Sequence, residues 1–303
     1  MILVTGGAGF IGSHLVDALS VEHEVVVVDD LSKGRLMNLT DSRDKITFHK
    51  MSILDKEIKD VLRDVDLIFH LAAQANVRRS VEDPFFDLDV NVKGLLNLVE
   101  NADDLERLVF ASSGGAIYGD PSVIPVDEGY QPRPISPYGV SKFAGELYLG
   151  YYNATYGLKT AILRYSNVFG ERQDPFGEAG VISIFIDKVL RGEPPEVFGD
   201  GLQTRDYIHV SDVVNANLAA MDRVGTFNIG TGMETSVNRL VEILSEIRGK
   251  KIESIHTAER EGEVRRSALS IDKAKRELGW RPKMNLDEGM KKTFEYFKLK
   301  RGF

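Results

Sequence analysis

Val4-Thr5-Gly6-Gly7-Ala8-Gly9-Phe10-Ile11-Gly12 is the stretch that decides the fold. It follows a short apolar run, Met1–Thr5, and leads into a segment of helical length, Ser13–Ser20. The order is therefore strand, glycine turn, helix. Gly6, Gly9 and Gly12 have GxxGxxG spacing. Glycine allows positive φ and close approach of the backbone to a pyrophosphate. A helix starting near Phe10 would present free N–H groups and the positive end of its dipole to phosphates. Turns need glycine too. Here, however, the next strand ends in an acid, and that context favours a dinucleotide site.

Working outward, apolar runs recur at Val25–Val28, Ile46–His49, Asp66–His70, Leu108–Ala111 and Thr160–Leu163. Helical segments such as Val90–Asn101 lie between most of them. Strands alternating with helices imply βαβ units and a parallel sheet. Short, nearly continuous Val/Ile/Leu runs fit strands buried on both faces. The expected fold is α/β, a Rossmann-type doubly wound parallel sheet. After Ser166 the rhythm breaks, and Gly, Pro and charged residues punctuate Gly170–Gly180 and Gly192–Gly201. Thr226–Ile229 looks like a strand that returns to the sheet. Residues 1–166, with a returning segment near 205–230, form the expected dinucleotide domain. Residues 167–303 form a smaller, interleaved substrate lobe.

The chain has 303 residues, 43% of them hydrophobic and 28% charged, which suits a soluble globular protein with a full core. A net charge of −8 argues against nucleic acid as the main partner. The absence of cysteine excludes disulfides and cysteine-ligated metals and points to a reducing compartment. No segment has the length of a membrane span. A first strand at the N-terminus leaves no room for a signal peptide, so a cytoplasmic protein is expected.

Asp29 lies about 17 residues past Gly12, where the ribose hydroxyls of NAD would sit. A carboxylate accepts from a 2′-OH and repels a 2′-phosphate. Asp29 and Asp30 thus favour NAD over NADP, with Lys33 and Arg35 nearby as a counterweight. Tyr138-Gly139-Val140-Ser141-Lys142 puts a phenol and an ammonium one helical turn apart, behind a helix start at Ser136-Pro137. The cation and the positive nicotinamide ring favour the phenolate. Such a tyrosine can take the proton of a hydroxyl as hydride leaves the same carbon. Leu108–Ser113 ends a strand in two hydroxyls, Ser112 and Ser113, at the edge where parallel sheets place ligands. Asn91, on the preceding helix, either stabilises this neighbourhood or is a plain helix-face amide.

These residues, together with several later blocks, resemble the extended short-chain dehydrogenase/reductases, and within them the UDP-glucose 4-epimerase family. The likeness runs almost end to end. It includes Gly6–Gly12, Asp29, Leu71-Ala72-Ala73-Gln74, Asn91, Ser112-Ser113 with Tyr118-Gly119, and Tyr138–Lys142. It continues through Arg164–Gly170, Gly199-Asp200-Gly201, Arg205–Val210 and Arg260–Glu263. The resemblance implies NAD-dependent interconversion of UDP-galactose and UDP-glucose: oxidation at C4, rotation of the 4-keto sugar and re-reduction. It implies that Tyr138 and Lys142, with Ser113 or Ser112, are catalytic. The cofactor would be held by Gly6, Gly9, Phe10, Ile11, Gly12, Asp29, Asp30, Ser52, Ile53, Leu71, Ala72, Ala73, Gln74, Asn91, Ser112, Tyr138, Lys142 and Tyr165. Asn167 would bind the diphosphate or sugar, Arg205 and Arg260 would clamp the diphosphate, and Glu196, Val197 and Phe198 would line the uracil. Glu263 joins this substrate set. Arg205 could equally pair with Asp206 or Asp212, and His209 reads as structural.

One departure from the family, at Gly114, and two further features matter. Related dehydratases and decarboxylases carry acidic residues after the strand-end hydroxyl, whereas Gly114-Gly115-Ala116 has none. Elimination then lacks its acid and base. The relay hydroxyl of the family aligns with Gly114, so either Ser112 or Ser113 supplies it, with Ser113 expected to matter more, or the tyrosine acts on the sugar directly. Ser267, seven positions past Arg260, is small where glucose-restricted epimerases carry an aromatic, which leaves room for an N-acetyl group. A UDP-glucuronate 4-epimerase, another nucleotide-sugar epimerase, or a non-catalytic NAD-binding protein on the same fold remain as alternatives. The resemblance also implies a homodimer built on helices near Asp87–Glu100 and Pro137–Tyr152. Tyr148, Leu149, Tyr151 and Tyr152 then face either the partner or the sheet.

Overall fold

Each apolar run of the N-terminal half becomes a parallel strand. The computed structural model describes residues 1–176, 180–259 and 264–300. In chain order its main elements are β1 (Ile2–Thr5), α1 (Phe10–Leu19), β2 (Val25–Asp29), β3 (Ile46–Lys50), β4 (Leu67–His70), α2 (Gly94–Glu100), β5 (Arg107–Ser113), α3 (Pro137–Tyr156) and β6 (Lys159–Tyr165). They continue with α4 (Val181–Leu190), α5 (Val210–Ala219), β7 (Gly225–Ile229), α6 (Val237–Arg248) and α7 (Leu286–Lys300). The seven-stranded sheet has the order β7-β6-β5-β4-β1-β2-β3 and is parallel throughout. The order reverses between β1 and β4, and ligands of such sheets sit beyond the strand ends at that switch point.

Alternation along the strands feeds two cores, which is why these runs are apolar without interruption. Val4, Val25, Val27, Phe69 and Val109 pack with Leu15 and Val16 of α1 and Val213 of α5. Leu3, Val26, Val28, Ile68 and Phe110 pack with Leu95 of α2 and Leu149 of α3. α3 starts as its sequence dictates. The Ser136 side chain accepts from the Gly139 N–H at 3.2 Å, Pro137 opens the first turn, and Gly157 ends the helix with φ of 75°. The expected helix over Val90–Asn101 differs in one respect: a π-helical turn at Asp89–Lys93 precedes α2. That turn carries Asn91 inward, to 2% exposure.

A third core belongs to the smaller lobe, where Phe185, Ile186, Leu240, Leu244, Met290 and Phe294 bring α4, α6 and α7 together. The lobe is interleaved with the sheet as expected, since β7 returns to pair with β6 from Gly225 to Ile229. Buried aspartates tie the crossings. Asp206 accepts from Thr231 N (2.8 Å), Thr231 Oγ1 (2.6 Å), Gly232 N (3.0 Å) and Leu269 N (3.2 Å). Asp212 accepts from the N–H groups of Lys283 and Met284, each at 2.9 Å. Removing such an acceptor strands several buried donors. Asp206→Ala is therefore expected to cost about 3 kcal/mol or more in a urea titration.

Candidate active site

The glycine turn is shaped by contacts that only glycine permits. Gly6 has φ of +69°, and a Cβ on Gly12 would lie 2.2 Å from the Gly6 carbonyl oxygen. Gly9 caps α1 with no side-chain hydrogen bond, so the first N–H groups of that helix stay available. The turn opens into a cleft of about 520 Å³. Of the residues expected to hold the cofactor, Gly6, Gly9, Phe10, Ile11, Gly12, Leu71, Ala73, Ser112, Tyr138, Lys142 and Tyr165 line it. A dinucleotide fits this donor set: a bare helix N-terminus at one end and a phenol with an ammonium at the other.

Lys142 is the electrostatic centre of the cleft. Its ammonium donates to the Ala111 carbonyl at 3.0 Å and lies 4.8 Å from the centre of the Phe110 ring. Burial lowers its pKa to about 8, against the pull of the Asp87 and Glu146 carboxylates. Beneath it, His70 stacks on Phe110 at 5.8 Å and shares a 2.7 Å hydrogen bond with Thr5 Oγ1. Burial, with Lys142 nearby, pushes that imidazole down to about 3, so it is neutral. Sequence reasoning missed His70, although a histidine ending an apolar strand beside the switch point was a visible signal.

Ser112 donates to Glu146 Oε1 at 2.6 Å, and Arg164 holds Glu146 through Nε (3.0 Å) and Nη2 (2.5 Å). Arg164 also donates to the Tyr118 hydroxyl at 2.8 Å, which in turn donates to Asn228. Glu146 and Arg164 were not expected at the site. Ser113, expected to be the more important serine, is not among the cleft-lining residues, because it sits one position further along, where β5 gives way to a short helix at Gly114–Ile117. Gly114 packs against Leu269, and a Cβ there would lie 2.5 Å from it.

Several expected cofactor residues support the cleft rather than line it. Asp29 accepts from Ala8 N (3.0 Å) and Leu31 N (2.8 Å), binding the glycine turn to the end of β2. Asp30 is exposed and accepts from Ser32 N at 2.8 Å. The wall at that end is formed by Lys33, Arg35 and Asn38. Gln74 and Asn91 bond each other's backbone or side chain, and both donate to Asp87 at 3.0 Å. Asp87 also accepts from Ser141 at 2.5 Å, which clamps this loop to α3. Ala72 donates its N–H to Thr5 Oγ1 at 3.3 Å. Ser52 donates its N–H to Asp55, and Ile53 is buried against Gly94, so both shape the loop after β3.

On the substrate side, Asn167 lines a second cavity of about 190 Å³ with Ser166, Gln173, Tyr207 and the start of α4. Val197 is fully buried in the small-lobe core, so its side chain is not on a binding surface, whereas its neighbours Glu196 and Phe198 are half-buried. Arg205 donates to the Thr204 carbonyl at 2.8 Å and lines neither cavity. Its two suggested partners, Asp206 and Asp212, are taken up by backbone N–H groups. His209 is structural, buried against Phe169 and 3.2 Å from Glu171. Arg260 and Glu263 lie outside the described residues.

Residues 2–230 match the model of the NAD dependent epimerase/dehydratase family. The chain belongs to that family. Its members bind NAD, and the cofactor read from the glycine turn is the family's own. The chain is 48% identical to the UDP-glucose 4-epimerase of Thermotoga maritima, solved with UDP-glucose, with a TM-score of 0.95 over 99% of both chains. It is 42% identical to the UDP-glucose 4-epimerase of Thermus thermophilus, solved with NAD, with a TM-score of 0.91 over 98% of both. The UDP-glucose 4-epimerase of Mycolicibacterium smegmatis is 45% identical over 98% of each chain. This family member thus has the expected doubly wound fold and enzyme class.

The depressed pKa of Lys142 has a consequence for stability. The unfolded lysine keeps its proton to about 10.5 and the folded one only to about 8. Between those values the unfolded state binds more protons, so this group makes stability rise with pH there. Below pH 8 the buried charge destabilises the fold in full. Lys142→Met is therefore expected to be more stable than the wild type at pH 7 by about 3 kcal/mol, with the difference fading towards pH 10.5. Denaturant titrations across that range check it.

Proposed function

We propose that this chain interconverts UDP-galactose and UDP-glucose, using NAD as an internal redox cofactor. The observation that carries the reading is the shared cleft. Tyr138 and the buried Lys142 ammonium face the same space as the glycine turn, and Gly114-Gly115-Ala116 brings no carboxylate to it. Such a site can oxidise and re-reduce a carbinol but has no acid–base pair there for elimination.

In this reading Tyr138 takes the proton of the sugar 4-OH, and returns it after the sugar has turned over. Lys142 favours the phenolate by its charge and holds its place through Ala111 and Phe110. Ser112 gives its hydrogen to Glu146, so its remaining lone pairs face the cleft as acceptors. NAD, when bound, supplies a hydride acceptor at C4 that gives the hydride back to either face. The diphosphate belongs beside Asn167 at the uncapped start of α4; its cations, Arg205 and Arg260, are assigned by the family resemblance rather than by the lining of that cavity. Glu196 and Phe198 flank the uracil. Residues 1–166 and the returning segment near 205–230 hold the cofactor, and the remainder holds the nucleotide sugar. Ser267 leaves room for an N-acetyl group, so UDP-N-acetylhexosamines are accepted as well.

A homodimer belongs to the same proposal. The helices Val77–Glu82 and Pro84–Leu88 pack on α3. Together they expose Val77, Val81, Phe85, Leu88, Leu147, Tyr148 and Tyr151. Leu149 and Tyr152 instead face the sheet, so the aromatic surplus of α3 is divided between the two faces. Among the described residues no helix is long and apolar enough to cross a membrane.

Purified protein incubated with UDP-galactose, without added NAD or metal, is expected to form UDP-glucose up to a fixed ratio. Tyr138→Phe is expected to lower that turnover about 10³-fold. No conversion by the wild type, even with NAD added, overturns the reading. Replacing Phe85 and Tyr148 together by lysine is expected to convert the dimer to a monomer in sedimentation experiments.

A further inference from the structure

Among the described residues, Gln173 is the one side chain that lines both the cofactor cleft and the cavity beside Asn167. Its amide is held in one orientation. Nε2 donates to the Val168 carbonyl at 3.1 Å, and a carbonyl can only accept, so the oxygen must be the other atom. That oxygen, Oε1, is buried and has no hydrogen-bond partner among the described residues. Ser166 Oγ in the wall of the same cavity is in the same condition. Buried acceptors are nearly always satisfied, and an unpaired one on a residue that lines both cavities is matched by a donor on a ligand that fills them.

The backbone around Gln173 is fixed for a purpose. Arg172 has φ of +67°, a strained value for a side-chain-bearing residue. Its guanidinium lies 2.7 Å from Asp17 of α1, Asp174 lies 2.8 Å from Arg35, and His14 is 2.9 Å from the Glu171 carbonyl. Strain of this kind persists only where the surroundings over-determine it, and such places cluster at functional sites. The loop is thus tied to the dinucleotide half on both sides of the amide.

The chemistry of a nucleotide sugar narrows the donor. Its diphosphate offers only acceptors; donors are the hexosyl hydroxyls on one side of it and the ribose hydroxyls and uracil N3–H on the other, and Gln173, which also lines the cofactor cleft, stands on the hexosyl side. We infer that Gln173 Oε1 accepts a hydrogen bond from a hexosyl hydroxyl other than the reacting one. It thereby fixes the sugar between the nicotinamide end of the cleft and the diphosphate. The inference rests on the proposed function and adds a residue that reads the sugar.

The test compares wild type with Gln173→Met, which has similar length and no amide. The readouts are affinity for UDP-galactose by calorimetry, kcat/KM, bound NAD and thermal midpoint. The expected result is a loss of affinity and kcat/KM of about ten-fold, with bound NAD and thermal midpoint unchanged. With the 2-, 3- and 6-deoxy analogues of UDP-galactose, the difference is expected to vanish for one of the three. An unchanged affinity, or an equal loss with all three analogues, overturns the inference. Loss of bound NAD also overturns it and assigns the amide to the cofactor. A wild type that binds UDP-galactose without turning it over sinks the proposed reaction alone, because the binding comparison still decides the role of Gln173.

Discussion

A dry ammonium is the constraint on which the site depends. Lys142 is buried among a carbonyl, an aromatic face and two carboxylates that do not touch it directly. Keeping that charge away from water costs free energy, and the surroundings are arranged to bear the cost. Each flanking acid has its own work. Asp87 ties the loop after β4 to α3 through Ser141, Gln74 and Asn91. Glu146 holds Ser112 on one side and Arg164 on the other. The same contacts that balance the lysine therefore also fix the walls of the cleft.

The position of Lys142 depends in turn on a local device at the start of α3. Ser136 caps the helix, and Pro137 fixes the first turn. The Tyr138 N–H donates to Ser80 Oγ at 3.1 Å, which orients that turn against the neighbouring helix. Spacing of four residues then carries Lys142 and Glu146 inward on the same face. One helix start thus sets the phenol, the ammonium and the carboxylate behind the serine.

The second lobe is joined to the sheet by buried acids rather than by a linker. Asp206 gathers N–H groups from two distant segments, and Asp212 gathers those of a third. Interleaving of this kind is poorly legible in a sequence. An aspartate after Arg205 looks like a partner for that arginine, and only the fold shows that backbone groups far along the chain claim it. The serines are a similar case. Two adjacent hydroxyls at a strand end are equivalent by composition, and only the fold shows that Ser112 lines the cleft while Ser113 caps the short helix that follows.

By itself the sequence determined the strand order's raw material, the glycine turn and the helical pairing of Tyr138 with Lys142. These depend on short-range rules: periodicity, capping, and the steric freedom of glycine at Gly6 and Gly12. Only the tertiary structure decided which expected residues line the cleft and which brace it. Asp29, Gln74 and Asn91 brace it, because the side chains of Asp29 and Asn91 answer backbone groups, and that of Gln74 the Asp87 carboxylate, which approach only when the sheet and helices have packed. His70, Glu146 and Arg164 entered the same way. Their meaning comes from partners 18 or more positions distant for the Glu146–Arg164 pair and 65 for His70 with Thr5, and hydrogen bonds across such separations leave no period in the sequence to read.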